Sequence, residues 1–144
     1  MRRNELEYVL GTLLDFDKDA SDINFTVDKP PQVEVAGVLM PVQLNPNIDR
    51  LTSFQTEMIA LNLMGNNQRL IDDLQRTGSC DASYSLGDRA RFRVNIFSQR
   101  GNYSIVLRKL NAQIPSIAQL NLPTVVLQCA IEKTGLVLVT GATG

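Results

Sequence analysis

The chain has no histidine and no tryptophan, and only two of its 144 residues are cysteine. The lack of histidine argues against a Ser-His-Asp catalytic triad, because that triad needs an imidazole as its base. The two cysteines, Cys80 and Cys129, lie far apart in sequence, which disfavours a disulfide framework and a zinc site. We expect both thiols to be free and buried, as unpaired cysteines in folded proteins usually are.

Charge of one sign and long apolar runs are also missing. The 14 basic and 15 acidic residues are interspersed and give a net charge of -1. This balance disfavours a nucleic-acid partner, so any anion site must be local. No apolar stretch reaches the ~20 residues of a transmembrane helix, and residues 1–5 do not lead into a signal-peptide core. The expected location is the cytoplasm.

The hydrophobic periodicity predicts a mixed α/β (α+β) fold. A helical stripe runs from Leu6 to Leu14, and Thr52 with Gln55 could form a capping box before a second helix. In that helix, Phe54, Met58 and Leu61, with Ile59 and Leu63, trace a helical stripe. A third, short helix should end before Gly78. Alternating patterns predict strands over 23–27, 33–35, 38–42, 80–86, 90–97 and 103–110. Their short connections favour an antiparallel sheet.

A change in composition predicts a domain boundary near Gln113, dividing the chain into residues 1–113 and 114–144. Pro115 and Pro123 lie in the second part, which we expect to be a linker with one or two helical turns and then a helix. The apolar run over 135–139 has the pattern of a buried strand, such as the first strand of a parallel α/β core.

Glycine-rich residues follow that run, namely Gly141, Ala142, Thr143 and Gly144. They match the first four positions of the phosphate-binding motif G-x-x-x-x-G-K-[ST], although an ordinary turn is the other interpretation. The lysine and the Ser/Thr of the motif are not in the chain. We therefore expect a chain that has no catalytic residue of its own and is the front part of a larger nucleotide-binding protein.

Residues 89–101 form the best local cluster of candidate ligand-binding side chains. In a strand, Arg91 and Arg93 would face away from the core, and Arg108 on the following strand could join them. Arginine on a rigid strand suits bidentate phosphate binding. The alternative is a solvated face on which these arginines pair with Asp or Glu. The apolar residues expected on the opposite face are Phe92, Val94 and Ile96.

Several motifs, in the same order, carry a resemblance to a known family. The chain closely resembles the N-terminal part of the type IV pilus retraction ATPases (PilT type), within the wider family of type II/IV secretion ATPases. The resemblance covers nearly the whole chain. Its motifs are Ala-Ser-Asp-Ile at 20–23, Pro-Pro through Gly at 30–37, Arg-Phe-Arg-Val-Asn-Ile-Phe-Ser-Gln-Arg-Gly at 91–101, Val-Leu-Arg at 106–108, Ile-Pro-Ser at 114–116, Leu-Pro at 122–123 and residues 134–144.

The resemblance implies a PAS-like N-terminal domain, an antiparallel sheet with flanking helices, followed by a linker and the first strand of a RecA-like ATPase core. By position, Arg93 and Arg108 would reach the phosphates of ATP, with Arg91 a lesser candidate. Residues 141–144 would contribute backbone N–H groups. ATP and Mg²⁺ would bind the full-length parent, and no cofactor is expected on this chain alone.

The resemblance also implies partners and a location. The parent would form a homo-hexamer in which this domain contacts the RecA-like domain and neighbouring subunits. It would work against a pilus inner-membrane platform protein, from the cytoplasmic side of that membrane. A start at the first helix, with no leading domain, favours retraction over extension.

Two positions depart from the family pattern. Asn24 stands where relatives often have histidine, which puts in doubt any role for that side chain. Ala142 stands where they often have proline, and this matters less because the loop uses its backbone.

Other functions remain open. The chain could be a PAS-like sensor or protein-interaction module, with a small-molecule pocket lined by residues such as Phe25, Phe54 and Met58. Core packing is the more common use of such residues, and we prefer it for these three. It could also be the equivalent domain of an accessory retraction ATPase or of a type II secretion ATPase.

Overall fold

The computed structural model describes residues 2–110 and 116–141. It divides the chain into two compact units, Met1–Ala112 and Gln113–Gly144. Within the described ranges there are four helices and six strands. In chain order they are α1 (Arg3–Phe16), β1 (Ala20–Phe25), β2 (Gln32–Val35), β3 (Val38–Pro41), α2 (Ser53–Met64), α3 (Gln68–Thr77), β4 (Ser79–Leu86), β5 (Ala90–Gln99), β6 (Asn102–Leu110) and α4 (Val125–Ile131).

The six strands form one sheet in the order β3-β2-β1-β6-β5-β4. Every neighbouring pair in this sheet is antiparallel, which confirms the expected α/β fold with an antiparallel sheet. The strands β5 and β6 are joined by a tight turn at Arg100 and Gly101, where both φ angles are positive. Such turns match the twist of the two strands that they connect.

One face of the sheet carries the hydrophobic core, and helices α1, α2 and α3 pack on it. The alternation of β5 confirms the predicted orientation, since Phe92, Val94 and Ile96 are fully buried and the intervening arginines are exposed. The opposite face of the sheet is polar. The largest fully buried side chains are Phe25, Phe92, Leu6, Leu10, Leu13, Ile23, Leu51, Ile59, Ile96, Ile105, Leu107 and Val33.

Local signals in the sequence determine where α2 begins and α3 ends. The predicted capping box is present, because Gln55 N donates to Thr52 Oγ1 and Thr52 N donates to Gln55 Oε1, at 3.2 and 2.8 Å. These two bonds satisfy backbone donors that have no partner within the helix. Helix α3 ends as predicted at Gly78, which is left-handed at φ +80° and donates its N–H to the carbonyl of Leu74.

The predicted stripe of α2 is only partly buried, since Ile59 and Leu63 lie in the core but two other members of the stripe do not. Phe54 is 66% exposed and Leu61 is 40% exposed. Apolar residues lie on two sides of this helix, so a 3.6-residue period fits either side and cannot choose between them. The helix buries Thr56 because its hydroxyl donates to the carbonyl of Ser53, which makes the side chain compatible with the core. The residues that α2 buries are Thr56, Ile59, Ala60, Leu63 and Met64.

In the second unit, the predicted linker and helix are present. Ser116 and Gln119 make reciprocal bonds at the start of a helical turn, and α4 follows at Val125–Ile131. The predicted strand over 135–139 is not formed, and Leu136–Val139 are exposed. A parallel strand exists only when it is hydrogen-bonded to neighbours, and the described residues supply none for this run.

The two cysteines are free but differ in burial. Cys80 is buried, with its Sγ 3.8 Å from Met64 Sδ, as expected. Cys129 is only half-buried, so the expectation was wrong there. Of the helices in residues 2–110 and 116–141, none combines the length and hydrophobicity that a membrane-spanning helix needs.

A buried phenol on β4 gives a prediction about stability. Tyr84 is 9% exposed, and its hydroxyl has no hydrogen-bond partner among the described residues. Burial raises the pKa of Tyr84 and the Glu7 carboxylate raises it further, whereas Arg3 acts in the opposite direction, and the net effect is an increase. Because the fold favours the neutral phenol, its contribution to stability is complete below the ordinary pKa of about 10 and is lost as the pH rises through the raised value.

We expect Tyr84→Phe to leave the free energy of unfolding unchanged or to raise it by up to about 1 kcal/mol, because it removes an unpaired buried hydroxyl. The variant should also be less sensitive to pH above about 10. Urea unfolding at pH 8 and pH 10.5 measures both effects. Tyr8→Phe, at an exposed position, is the matched control. A clear loss of stability in Tyr84→Phe at pH 8 would contradict this account.

Candidate anion-binding site

The candidate site lies on the polar face of the sheet, where β5 and β6 place two arginines side by side. Arg93 and Arg108 are directly opposite each other in the antiparallel register. Opposite residues project from the same face with Cβ atoms about 4.5–5.5 Å apart, and like charges at such positions repel. An anion between the two guanidinium groups would relieve that repulsion.

Both arginines line one open concavity of about 350 Å³. Its floor is formed by the central strands, which are held by hydrogen bonds on both sides, so the arginines project from rigid backbone. The residues that line it are Asp81, Arg93, Asn95, Val106 and Arg108.

Each arginine also has a carboxylate partner. Arg108 binds Asp22 in a bidentate way, with Nε 3.0 Å from Oδ1 and Nη2 3.2 Å from Oδ2. These hydrogen bonds, and the charge of Asp22, raise the pKa of Arg108. Arg93 Nε lies 3.5 Å from Asp81 Oδ1, and both of these side chains are largely exposed. These two pairs therefore agree with the alternative prediction, a solvated face on which the arginines pair with acidic side chains.

The ion pairs with Asp22 and Asp81 do not use all the N–H donors of the two arginines. A guanidinium has five N–H groups, and Asp22 takes one on Nε and one on Nη2 of Arg108. Arg93 contacts its partner through Nε alone. The two arginines and two carboxylates have no net formal charge, so an anion bound here would need further cations from elsewhere. No group of three acidic or cysteine side chains is placed to hold a metal ion in the described ranges.

The other predicted site residues are not brought into this concavity. Arg91 is exposed two register pairs away, opposite Leu110 and Ser85, and makes no ion pair with a described residue. Gly141 is described and exposed, outside any helix or strand. Ala142, Thr143 and Gly144 lie outside the described residues.

Sequence reasoning did not identify the two aspartates of the site. Asp22 lies on β1, 86 positions from Arg108, whereas Asp81 lies on β4, the strand that precedes and pairs with the strand of Arg93. The signal for Asp22 was a charged residue within an alternating strand. A carboxylate that such a strand buries needs a partner of opposite charge. Only the pairing of β1 with β6 shows that Arg108 is this partner.

The residues considered for a ligand pocket do not form one, and the preferred alternative of core packing is correct for Phe25 but not for Phe54. Phe25 is fully buried in the core, whereas Phe54 is largely exposed on α2. An open, mainly apolar groove of about 460 Å³ lies instead between the start of α1 and the loop before α2. Its lining includes none of Phe25, Phe54 and Met58. The lining residues are Asn4, Glu5, Tyr8, Val9, Leu44, Asn45, Pro46 and Ile48.

Known proteins resemble both this sequence and this fold, although no protein-family model matches. The type IV pilus ATPase PilU of Pseudomonas aeruginosa is 35% identical over 97% of the chain and 35% of its own length. The retraction ATPase PilT of the same organism is 30% identical over 87% of the chain and 35% of its length. The crystal structure of the pilus retraction motor PilT with bound ADP matches with a TM-score of 0.80 and 35% identity, over 96% of this chain and 38% of that one.

The sheet with its helical layer is thus the fold found in one part of a pilus motor protein, and the relatives that it matches form the class of pilus ATPases. Within this class the chain belongs to the PilT-type family. It spans about a third of the length of the relatives that it matches.

The separation of the two faces of β5 can be tested by stability measurements on this chain. We expect Arg93→Ala to change the free energy of unfolding by less than about 0.5 kcal/mol, because an exposed side chain opposite a like charge is removed. Phe92→Ala, one residue earlier and fully buried, should cost about 3–5 kcal/mol. Denaturant titration measures both. A large loss in Arg93→Ala would show that the arginine has a structural role.

Proposed function

We propose that this chain is the N-terminal domain of an ATPase motor that powers type IV pilus retraction, and that Arg93 and Arg108 bind the phosphates of ATP in the closed state. The relationship to PilT and PilU supports the motor, and the ADP in the PilT crystal structure agrees with a nucleotide-dependent function. The placement of Arg93 opposite Arg108, in one concavity on the polar face, supports the role of the arginines.

The charges of the concavity explain why the chain would need a second domain. Its two arginines are balanced by Asp22 and Asp81, so it attracts a triphosphate only weakly by itself. A complete phosphate loop, with the lysine and Mg²⁺ that such loops use, would supply the remaining positive charge. In this proposal residues 141–144 begin that loop. The arginines then add charge-assisted hydrogen bonds when the two domains close on the nucleotide.

Closure would also couple the nucleotide to movement. A rigid domain whose contacts with the phosphates form and break during hydrolysis changes its position against the ATPase core in each cycle. We propose that in a homo-hexamer this movement drives pilus disassembly, through a pilus platform protein of the inner membrane. The protein would then work in the cytoplasm, at the surface of that membrane.

The accessory retraction ATPase remains the alternative within the family. The identity to PilU, 35%, and to PilT, 30%, is similar. Expression of the full-length protein in a strain without its main retraction ATPase would distinguish the two functions, since restored twitching requires the main motor. The sensor alternative would rest on the apolar groove beside α1, and the predicted pocket residues Phe25 and Phe54 do not contribute to it.

The arginines can be tested in the full-length protein. We expect Arg93→Ala and Arg108→Ala each to lower ATP turnover at least about tenfold, because each removes charge-assisted bonds to the phosphates. Lysine at either position should restore activity only in part, since it keeps the charge and loses the planar fork. Phosphate release at saturating ATP is the measurement.

Arg100→Ala is the matched control, because Arg100 lies at the tip of the turn between β5 and β6 and outside the concavity. It should retain nearly the parental turnover. The role of the arginines is disproved if the Arg93 and Arg108 variants are folded, assemble like the parent and hydrolyse ATP at the parental rate.

The 144-residue chain alone should neither hydrolyse ATP nor bind it tightly. Its arginine pair is neutralised by aspartates, and the lysine and Ser/Thr of a phosphate loop are not part of its sequence. Titration calorimetry with ATP and Mg²⁺ and a phosphate-release assay are the direct measurements. Micromolar affinity or steady turnover would show that the chain holds a complete nucleotide site.

A further inference from the structure

The ion pair between Asp22 and Arg108 differs from the other ion pairs of the site. The side chain of Asp22 is only 8% exposed, whereas that of Arg108 is 69% exposed. A buried carboxylate is costly unless it is paired and hydrogen-bonded. Among the described residues, Arg108 is the one side chain that bonds to Asp22. The buried member of the pair therefore restrains the exposed one.

The geometry of the pair directs the free side of the guanidinium. Asp22 binds the Nε edge of Arg108, which leaves the end formed by Nη1 and Nη2 with three unused N–H groups. The same arginine lines the concavity together with Arg93. A free arginine loses much rotamer freedom when it binds a ligand. Asp22 has already restricted Arg108, so less is lost when an anion binds.

The contact of Arg93 with Asp81 cannot have this effect. Its single distance is 3.5 Å, and the two side chains are 70% and 60% exposed. Exposed pairs of this kind contribute little and do not hold a side chain in one geometry. The two arginines thus differ, one being preorganised and the other adaptable.

We propose that Asp22 is a positioning residue, which holds Arg108 in the orientation that presents its free fork to a phosphate. This inference rests on the function proposed for Arg108. It gives the Ala-Ser-Asp segment of β1 a role in nucleotide turnover. Asp22 in this segment acts through Arg108 on the neighbouring strand β6. Asp22 itself does not touch the anion, because its carboxylate would repel it.

The test uses ATP turnover of the full-length protein. Asp22→Asn is nearly isosteric but cannot accept both hydrogen bonds from the guanidinium. We expect it to lower turnover at saturating ATP about three- to tenfold, which corresponds to the cost of ordering one flexible side chain again at each closure. Asp15→Asn is the matched control, because Asp15 pairs with Arg89 outside the concavity, and it should change turnover by less than about twofold.

A double-mutant cycle distinguishes positioning from a merely structural role. In the Arg108→Ala background, Asp22→Asn should have no further effect on turnover, because the residue through which it acts is gone. Thermal unfolding of each variant as the 144-residue chain measures stability separately. If Asp22→Asn does not fold, Asp22→Glu, which keeps the charge and displaces the carboxylate, should lower turnover in a folded protein.

The inference is overturned if folded Asp22→Asn turns over ATP at or above the parental rate while Arg108→Ala is impaired. In that case the proposed function of Arg108 still stands. It is also overturned if the losses from Asp22→Asn and Arg108→Ala multiply, since Asp22 then acts independently of Arg108. If Arg108→Ala itself has the parental rate, both the inference and the role of Arg108 in the proposed function are disproved.

Discussion

The antiparallel pairing of β5 with β6 is the constraint on which the rest of the structure depends. It aligns Val94 with Leu107 and Ile96 with Ile105 on the core face, and all four side chains are completely buried. The same register brings Arg93 opposite Arg108 on the other face. A slip of one residue would put arginines against the helices and apolar side chains in water, so burial of the core and placement of the cations are determined together.

Charge balance sets the character of the site. Two arginines that face each other would destabilise the sheet, and Asp22 and Asp81 offset this repulsion from the strands on either side. The result is a surface that is stable without a ligand and still has unused donors. Such a surface would suit the role proposed for this domain, in which it contacts a nucleotide only when a second domain presents it.

The sequence predicted some helices and strands correctly and others not, and each outcome has a physical reason. The faces of β5 were predicted correctly because alternation over ten residues permits only one inward side. The stripe of α2 was predicted only in part, since it included both Phe54 and Ile59, which lie on different sides of a helix that is apolar on both. The run over 135–139 has a strand pattern but no strand, because a pattern cannot provide the neighbours to which a strand must bond.

The sequence by itself determined the antiparallel α/β fold, the ends of α2 and α3, and the exposure of Arg93, because each depends on residues close together in the chain. Its motifs also determined the family. The tertiary structure alone decided that Arg108 is bound by Asp22, which lies 86 positions away. Such a pair depends on which strands become neighbours, and that is decided by the packing of the whole core.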